Sequence, residues 1–152
     1  MIALACDHHG VALKGELAKM LDEMGLGWKD FGICDASVRD DDYPVCGFRA
    51  AKAVASGECD RGIMICGTGM GIGIVAGKVK GIRVCTCSDV YSAEMSRRHN
   101  NSNVLTMGAL VVGTEKAKMI ARSWLTAEFE GGRHRRRVEM IGRIENGLSP
   151  EA

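Results

Sequence analysis

Residues 61–78 read RGIMICGTGMGIGIVAGK: an apolar run ends in Cys66, and glycines follow at 67, 69, 71 and 73. A thiol at the end of a strand, next to the first turn of a helix, meets free backbone N–H groups and the positive end of the helix dipole. Placed there, cysteine can act as nucleophile, redox centre or general base; placed in a core, it is a small hydrophobe. Thr68 adds a hydroxyl two residues on. The glycines resemble a nucleotide loop but fail its tests. Counted from Gly67, the pattern G-x-G-x-x-G breaks at Ile72. A register at Gly71, Gly73 and Ala76, with Asp89 downstream, fits the G/A variant but begins well beyond the strand. Lys78 is followed by Val79, so the hydroxyl that would hold magnesium in a P-loop is absent. Two readings remain: a nest of amides suited to an oxyanion or phosphate, or a tight turn with no ligand.

The segment GGRHRRRVEM is the second anomaly. It opens a helix with positive charge, against the macrodipole. Arg133 and Arg137 stand at i and i+4 on one face, a pair of planar forks able to clamp a phosphate or carboxylate. The alternative is a solvated basic stretch. A resident metal is not expected: C-x-x-C and H-x-x-x-H are absent, and His8 and His9 would point to opposite sides of an extended segment. Cys85 and Cys87, inside a strand pattern, read as core.

Five short runs must carry these groups: 2–6, 28–32, 62–66, 82–87 and 103–108. The first, third and fourth are nearly continuous apolar runs, the pattern of strands covered on both faces. Helical stripes lie between them: Leu13, Leu17, Met20, Leu21 and Met24, then more weakly Phe48, Ala51, Lys52 and Ala55. Ala117, Ile120, Ala121, Trp124 and Leu125 make a third, and Val138, Ile141, Ile144 and Leu148 a last one. Alternating strand and helix predicts one α/β domain over residues 1–152. It is a doubly wound, Rossmann-like, five-stranded parallel sheet with helices on both faces and a C-terminal helix. Its ligand belongs at the carboxyl ends of the strands. There collect Asp7, His8 and His9, the loop DDDYP (Asp40 to Pro44), Cys66 to Thr68, Ser88 and Asp89, and also His99 and Asn100 from the helix after the fourth strand.

The chain is long enough for one core and too short for two ordinary domains. A net charge of +1 argues against a surface tuned to nucleic acid, and no apolar run is long enough to cross a membrane. Seven cysteines without framework spacing, behind an N-terminus lacking signal-peptide features, predict reduced thiols in the cytoplasm.

A base, a hydroxyl, an imidazole, amide donors and an anion clamp form a set that abstracts a proton beside a carbonyl and stabilises the enediolate. The residues thus point to an aldose–ketose isomerase of a phosphorylated sugar, working without cofactor. The motifs CDHHG, DYP, GIMICGTGMGIGI, GIRVCTCSD, RRHNNSNVLTMG and FEGGRHRRRV resemble, in order and spacing, the type B ribose-5-phosphate isomerase family. That family includes galactose-6-phosphate and allose-6-phosphate isomerases, and the likeness runs through nearly the whole chain. The resemblance implies that Cys66 is the base between C1 and C2, with Thr68 and the amides of Gly67, Gly69, Met70 and Gly71 holding the oxyanion. It implies that His99 opens the furanose ring and that Asp7, His8, Tyr43 and Asn100 contact the sugar. Arg133 and Arg137 match the phosphate ligands. A site shared between two subunits is implied, in a homodimer or a tetramer. Three positions depart from the family pattern: Leu110 replaces a common arginine, His9 a small residue, and Gly77 the asparagine of "ANK". All three bear on sugar length rather than on the base, so D-ribose 5-phosphate leads and tetrose or hexose phosphates remain. A non-catalytic sugar-phosphate sensor and a dinucleotide-dependent oxidoreductase are the competing classes.

Overall fold

The structure is a computed structural model that describes residues 1–32 and 42–151. Its elements alternate as expected: β1 (Ile2–Cys6), α1 (Val11–Glu23), β2 (Trp28–Asp30), α2 (Tyr43–Ala55), β3 (Arg61–Cys66) and α3 (Met70–Gly77). There follow β4 (Val84–Thr86), α4 (Val90–Asn100), β5 (Val104–Gly108), α5 (Thr114–Thr126) and α6 (Arg133–Glu145). The strands form one sheet in the order β2-β1-β3-β5-β4, and every neighbouring pair is parallel.

Alternate residues of the central strands feed two cores. Leu4, Cys6, Ile63, Ile65, Leu105 and Met107 face α1, α4 and α5, where Leu17, Leu21, Ile120 and Trp124 are buried. Ala3, Ala5, Met64 and Cys66 face α2 and α3. Small residues on this second side let the backbones approach: a Cβ on Gly47 of α2 would lie 2.8 Å from Ile72 of α3. No helix among the described residues is long and apolar enough to cross a membrane.

Three sequence expectations are corrected. The fourth strand is not covered on both faces: β4 is a half-exposed edge strand, whereas all five residues of β5 are buried. Its apolar residues misled because hydrophobicity does not encode a strand's place in the sheet. The α2 stripe lies off the face expected, except at Ala51. Phe48 and Lys52 are exposed, and Cys46, Gly47, Ala50, Ala51, Ala53 and Val54 are buried, because the sheet and α3 select the small side chains. The α6 stripe exists, but Ile141, Ile144 and Leu148 remain exposed in the single chain.

Candidate active site

At the carboxyl end of β1 the Asp7 N–H donates to the Ile65 carbonyl, 3.1 Å away, which sets Asp7 beside Cys66 on the neighbouring strand. Asp7 is buried and its Oδ1 accepts the His9 amide at 2.9 Å, so its carboxylate shapes the turn. This segment is not extended. The His8 and His9 rings lie 4.0 Å apart at 40°, on one side of a turn rather than on opposite sides as the sequence suggested. The turn presses so closely on β1 and β3 that a Cβ on Gly10 would meet Cys6 and Ile65 under 3.0 Å.

At the end of β3 the Cys66 sulfur, 4% exposed for the whole residue, accepts the backbone N–H of Gly69 at 3.1 Å. That donor comes from the turn that opens α3. The Met70 N–H donates to Thr68 Oγ1 at 3.3 Å, which leaves the hydroxyl proton of this exposed threonine available to a ligand. The loop is pinned from below, with the Ala109 and Leu110 amides donating to the carbonyls of Cys66 (2.9 Å) and Gly67 (3.0 Å). Gly69 has φ 79°, and a Cβ there would stand 2.7 Å from the Met107 carbonyl carbon. Only glycine permits both the left-handed turn and this approach. The Tyr43 ring lies against Gly71, and Leu110 and His9 flank Gly67. One rim therefore gathers Asp7, His8, His9, Tyr43, Cys66 to Gly71 and Leu110. Asp40 and Asp41 of the DDDYP loop lie outside the described residues.

The dinucleotide register does not survive. Gly71, Gly73 and Ala76 are inside α3, and a Cβ on Gly73 would meet the Thr86 and Thr106 hydroxyls at 2.8 and 3.0 Å. These glycines serve packing. Asp89 caps α4 by accepting the Ser92 amide at 2.7 Å.

His99 and Asn100 are not on the Cys66 rim, contrary to expectation. A helix following a parallel strand runs back, so the end of α4 lies beside the strand beginnings. Asn101, left-handed at φ 48°, stops α4 there, and the nearby Asn103 carbonyl accepts the Gly62 amide at 2.9 Å. The pairs Gly62↔Val104 and Cys66↔Gly108 are four residue steps apart, roughly 13 Å at about 3.3 Å per residue. Within one chain, His99 and Cys66 sit toward opposite ends of the sheet.

The opposite end has its own cluster. The Glu130 N–H donates to the Arg98 carbonyl at 3.0 Å, and Arg98 Nε donates to Glu130 Oε1 at 2.7 Å. Glu130 Oε2 stands 3.8 Å from His99 Nε2 and 3.7 Å from His134 Nε2. Two left-handed glycines, Gly131 and Gly132, turn the chain into α6, which brings His134 flat onto His99 with centroids 4.2 Å apart and planes at 7°. Arg133 and Arg137 flank His134 in the first turns of α6. The hydrogen bond from Arg98 holds the Glu130 carboxyl below its usual range. Burial, then the nearby His99 and Arg133, lowers the pKa of His134. Glu130 and His134 were not among the site residues read from the sequence. The signal was a glutamate and a histidine at i and i+4 around two glycines, beside the arginines that were noticed.

Among the described residues, Asp7, His8 and His9 form one group with ligand atoms within 4.8 Å, and His99, Glu130 and His134 form another. The second geometry suits a metal poorly. Nearly parallel stacked rings direct their in-plane lone pairs side by side, not toward one ion.

The doubly wound sheet carries a buried thiol under an amide donor at one end and imidazole and guanidinium groups at the other, and its family match makes the chain a sugar-phosphate isomerase, an enzyme interconverting aldose and ketose. Residues 2–141 match the model of the ribose/galactose isomerase family, to which the chain belongs. It is similar to ribose-5-phosphate isomerase B of Escherichia coli K12, 52% identical over 144 residues and 95% of each chain. A ribose-5-phosphate isomerase B structure from Clostridium thermocellum superposes with a TM-score of 0.92 at 50% identity, covering 96% of this chain and 97% of that one. D-erythrulose-4-phosphate isomerase of Pectobacterium atrosepticum is 42% identical over 145 residues and 95% of each chain.

Proposed function

We propose that the protein interconverts D-ribose 5-phosphate and D-ribulose 5-phosphate at a site completed between two copies of the chain. The observation that carries this reading is the Cys66 sulfur, seated under the Gly69 amide at the rim where Asp7, Thr68 and Tyr43 meet. In the open-chain aldose, the C1 carbonyl acidifies the proton on C2. Cys66, as thiolate, takes that proton; the C2–H electron pair becomes the C1–C2 double bond, and charge moves to O1. The Gly67 and Gly71 amides and the Thr68 hydroxyl surround that oxygen, while the Gly69 amide steadies the sulfur and the Met70 amide holds Thr68. The O2 proton passes to O1, Cys66 returns its proton to C1, and the ketose results. Asp7, His8 and Tyr43 hold the sugar hydroxyls from the same rim.

His99 opens the furanose, Asn100 contacts the sugar, and Arg133 and Arg137 bind the phosphate. These four come from a second copy under this reading, because a group roughly 13 Å away along the strands has no reach to a sugar on Cys66. The exposed Met70 and Ile74 of α3, Ile141 and Ile144 of α6, and Leu148 just beyond it supply apolar surface for the association, as a homodimer or a tetramer.

A four- or six-carbon sugar phosphate is the second reading. Leu110, 73% exposed beside Gly67 and His9, offers no charge to a phosphate at that end of the pocket. Incubation of the purified protein with D-ribose 5-phosphate, in EDTA and without added cofactor, tests the choice. Rapid appearance of ribulose 5-phosphate is expected. A folded protein that leaves ribose 5-phosphate untouched would move the assignment to tetrose and hexose phosphates.

A further inference from the structure

The cluster of Glu130, His134 and His99 holds more order than a ring-opening imidazole alone requires. His134 is buried at 6% exposure, whereas the side chain of His99 is 35% exposed, so a fixed ring backs a presented one. Their planes differ by 7° at a centroid separation of 4.2 Å. Arg133 Nε reaches His134 Nε2 across 3.5 Å, a long contact. Glu130, locked by Arg98, faces both Nε2 atoms. A neutral ring can hold the plane of His99 without setting a second positive charge beside it.

We propose that His134 is a positioning residue that ties the phosphate-clamp arginine Arg133 to the ring-opening imidazole of His99, with Glu130 fixing the pair. This rests on the roles given above to His99 and Arg133. Ring opening moves a proton off the anomeric hydroxyl and another onto the ring oxygen, so the imidazole must stand in one orientation. A misplacement of about 1 Å costs roughly 100-fold in such steps. When phosphate engages Arg133, the guanidinium bears on His134 Nε2, and the stacked ring carries that constraint to His99. Phosphate binding and ring opening thereby become one event, and a sugar lacking phosphate meets a less ordered imidazole.

The two directions of the reaction separate this role from a merely structural one. D-ribose 5-phosphate closes a furanose through O4, whereas D-ribulose 5-phosphate has its O5 blocked and stays open. At saturating substrate, kcat is measured in both directions for the unchanged protein and for His99→Ala, His134→Ala and His134→Phe, because the equilibrium constant ties the two kcat/KM values together in every variant. For His99→Ala, a larger loss from ribose 5-phosphate than from ribulose 5-phosphate is expected. His134→Ala reproduces that asymmetry at roughly 10- to 100-fold, mainly in kcat. His134→Phe, which keeps a flat ring against His99 but no Nε2, recovers part of the loss. Equal losses in both directions for His134→Ala, with His99→Ala asymmetric, would overturn the proposal alone. Equal losses for His99→Ala would remove the ring-opening role and the proposal with it.

Discussion

The backbone amide of Gly69 reaches the sulfur of Cys66 across 3.1 Å, and the same residue lies directly on the backbone of Met107 at the end of β5. One glycine therefore both donates to the thiol and seats its loop. Under the proposed mechanism, Cys66→Ala removes the base while the pinned loop stays in place. Turnover should fall by roughly 10²- to 10⁴-fold with little change in melting temperature. Full activity in this variant, measured by ribulose 5-phosphate formation, would refute the role.

Gly69→Ala tests the seat. The left-handed φ of 79° and the 2.7 Å approach to Met107 both oppose a methyl group. A destabilisation of about 1–3 kcal/mol is expected in urea unfolding, with activity lost in the folded fraction as well. A neutral substitution would mean that the loop moves freely off β5.

Mixing two dead variants tests the shared site. Cys66→Ala and His99→Ala damage opposite ends of the sheet. Co-refolded at equal amounts, random pairing gives half hybrids, each with one intact site of two, so about a quarter of normal activity returns. If each copy held a complete site, mixing would restore nothing.

Acid should weaken the fold through His134. Burial, His99 and Arg133 lower its folded pKa below the ordinary 6.5. In the window between the two values the unfolded chain binds more protons, so stability falls as pH drops below about 6.5 and through the folded pKa. Glu130, lowered by Arg98, adds a loss of the same sign below the ordinary 4.5. Melting temperatures of the unchanged protein and His134→Phe, compared from pH 7.5 to 5, should show the flatter profile in the variant. Parallel profiles would assign the acid sensitivity elsewhere.

Much of this was legible in the residues. The apolar runs of β1 and β3 and the stripes of α1 and α5 are strong one-dimensional patterns, and they place Cys66 and its glycines correctly. The failures share a cause. A sequence pattern shows which residues are apolar but not what stands opposite, so exposed Phe48, the edge position of β4 and the uncovered α6 stripe went unseen. Placing His99 on the Cys66 rim neglected the return direction of α4. Glu130 was invisible because its meaning comes from Arg98, 32 positions away in the chain.

The opposed placement of Cys66 and His99 also bears on how such genes can diverge. After a duplication, one copy can lose its thiol rim and the other its histidine rim, each by a single neutral-looking substitution. With a site shared between copies as proposed, neither product then works alone, and only the mixed assembly retains a site. A division of labour of that kind locks two genes together without any new contact having to evolve, because the sheet has already put the halves of the chemistry at its two ends.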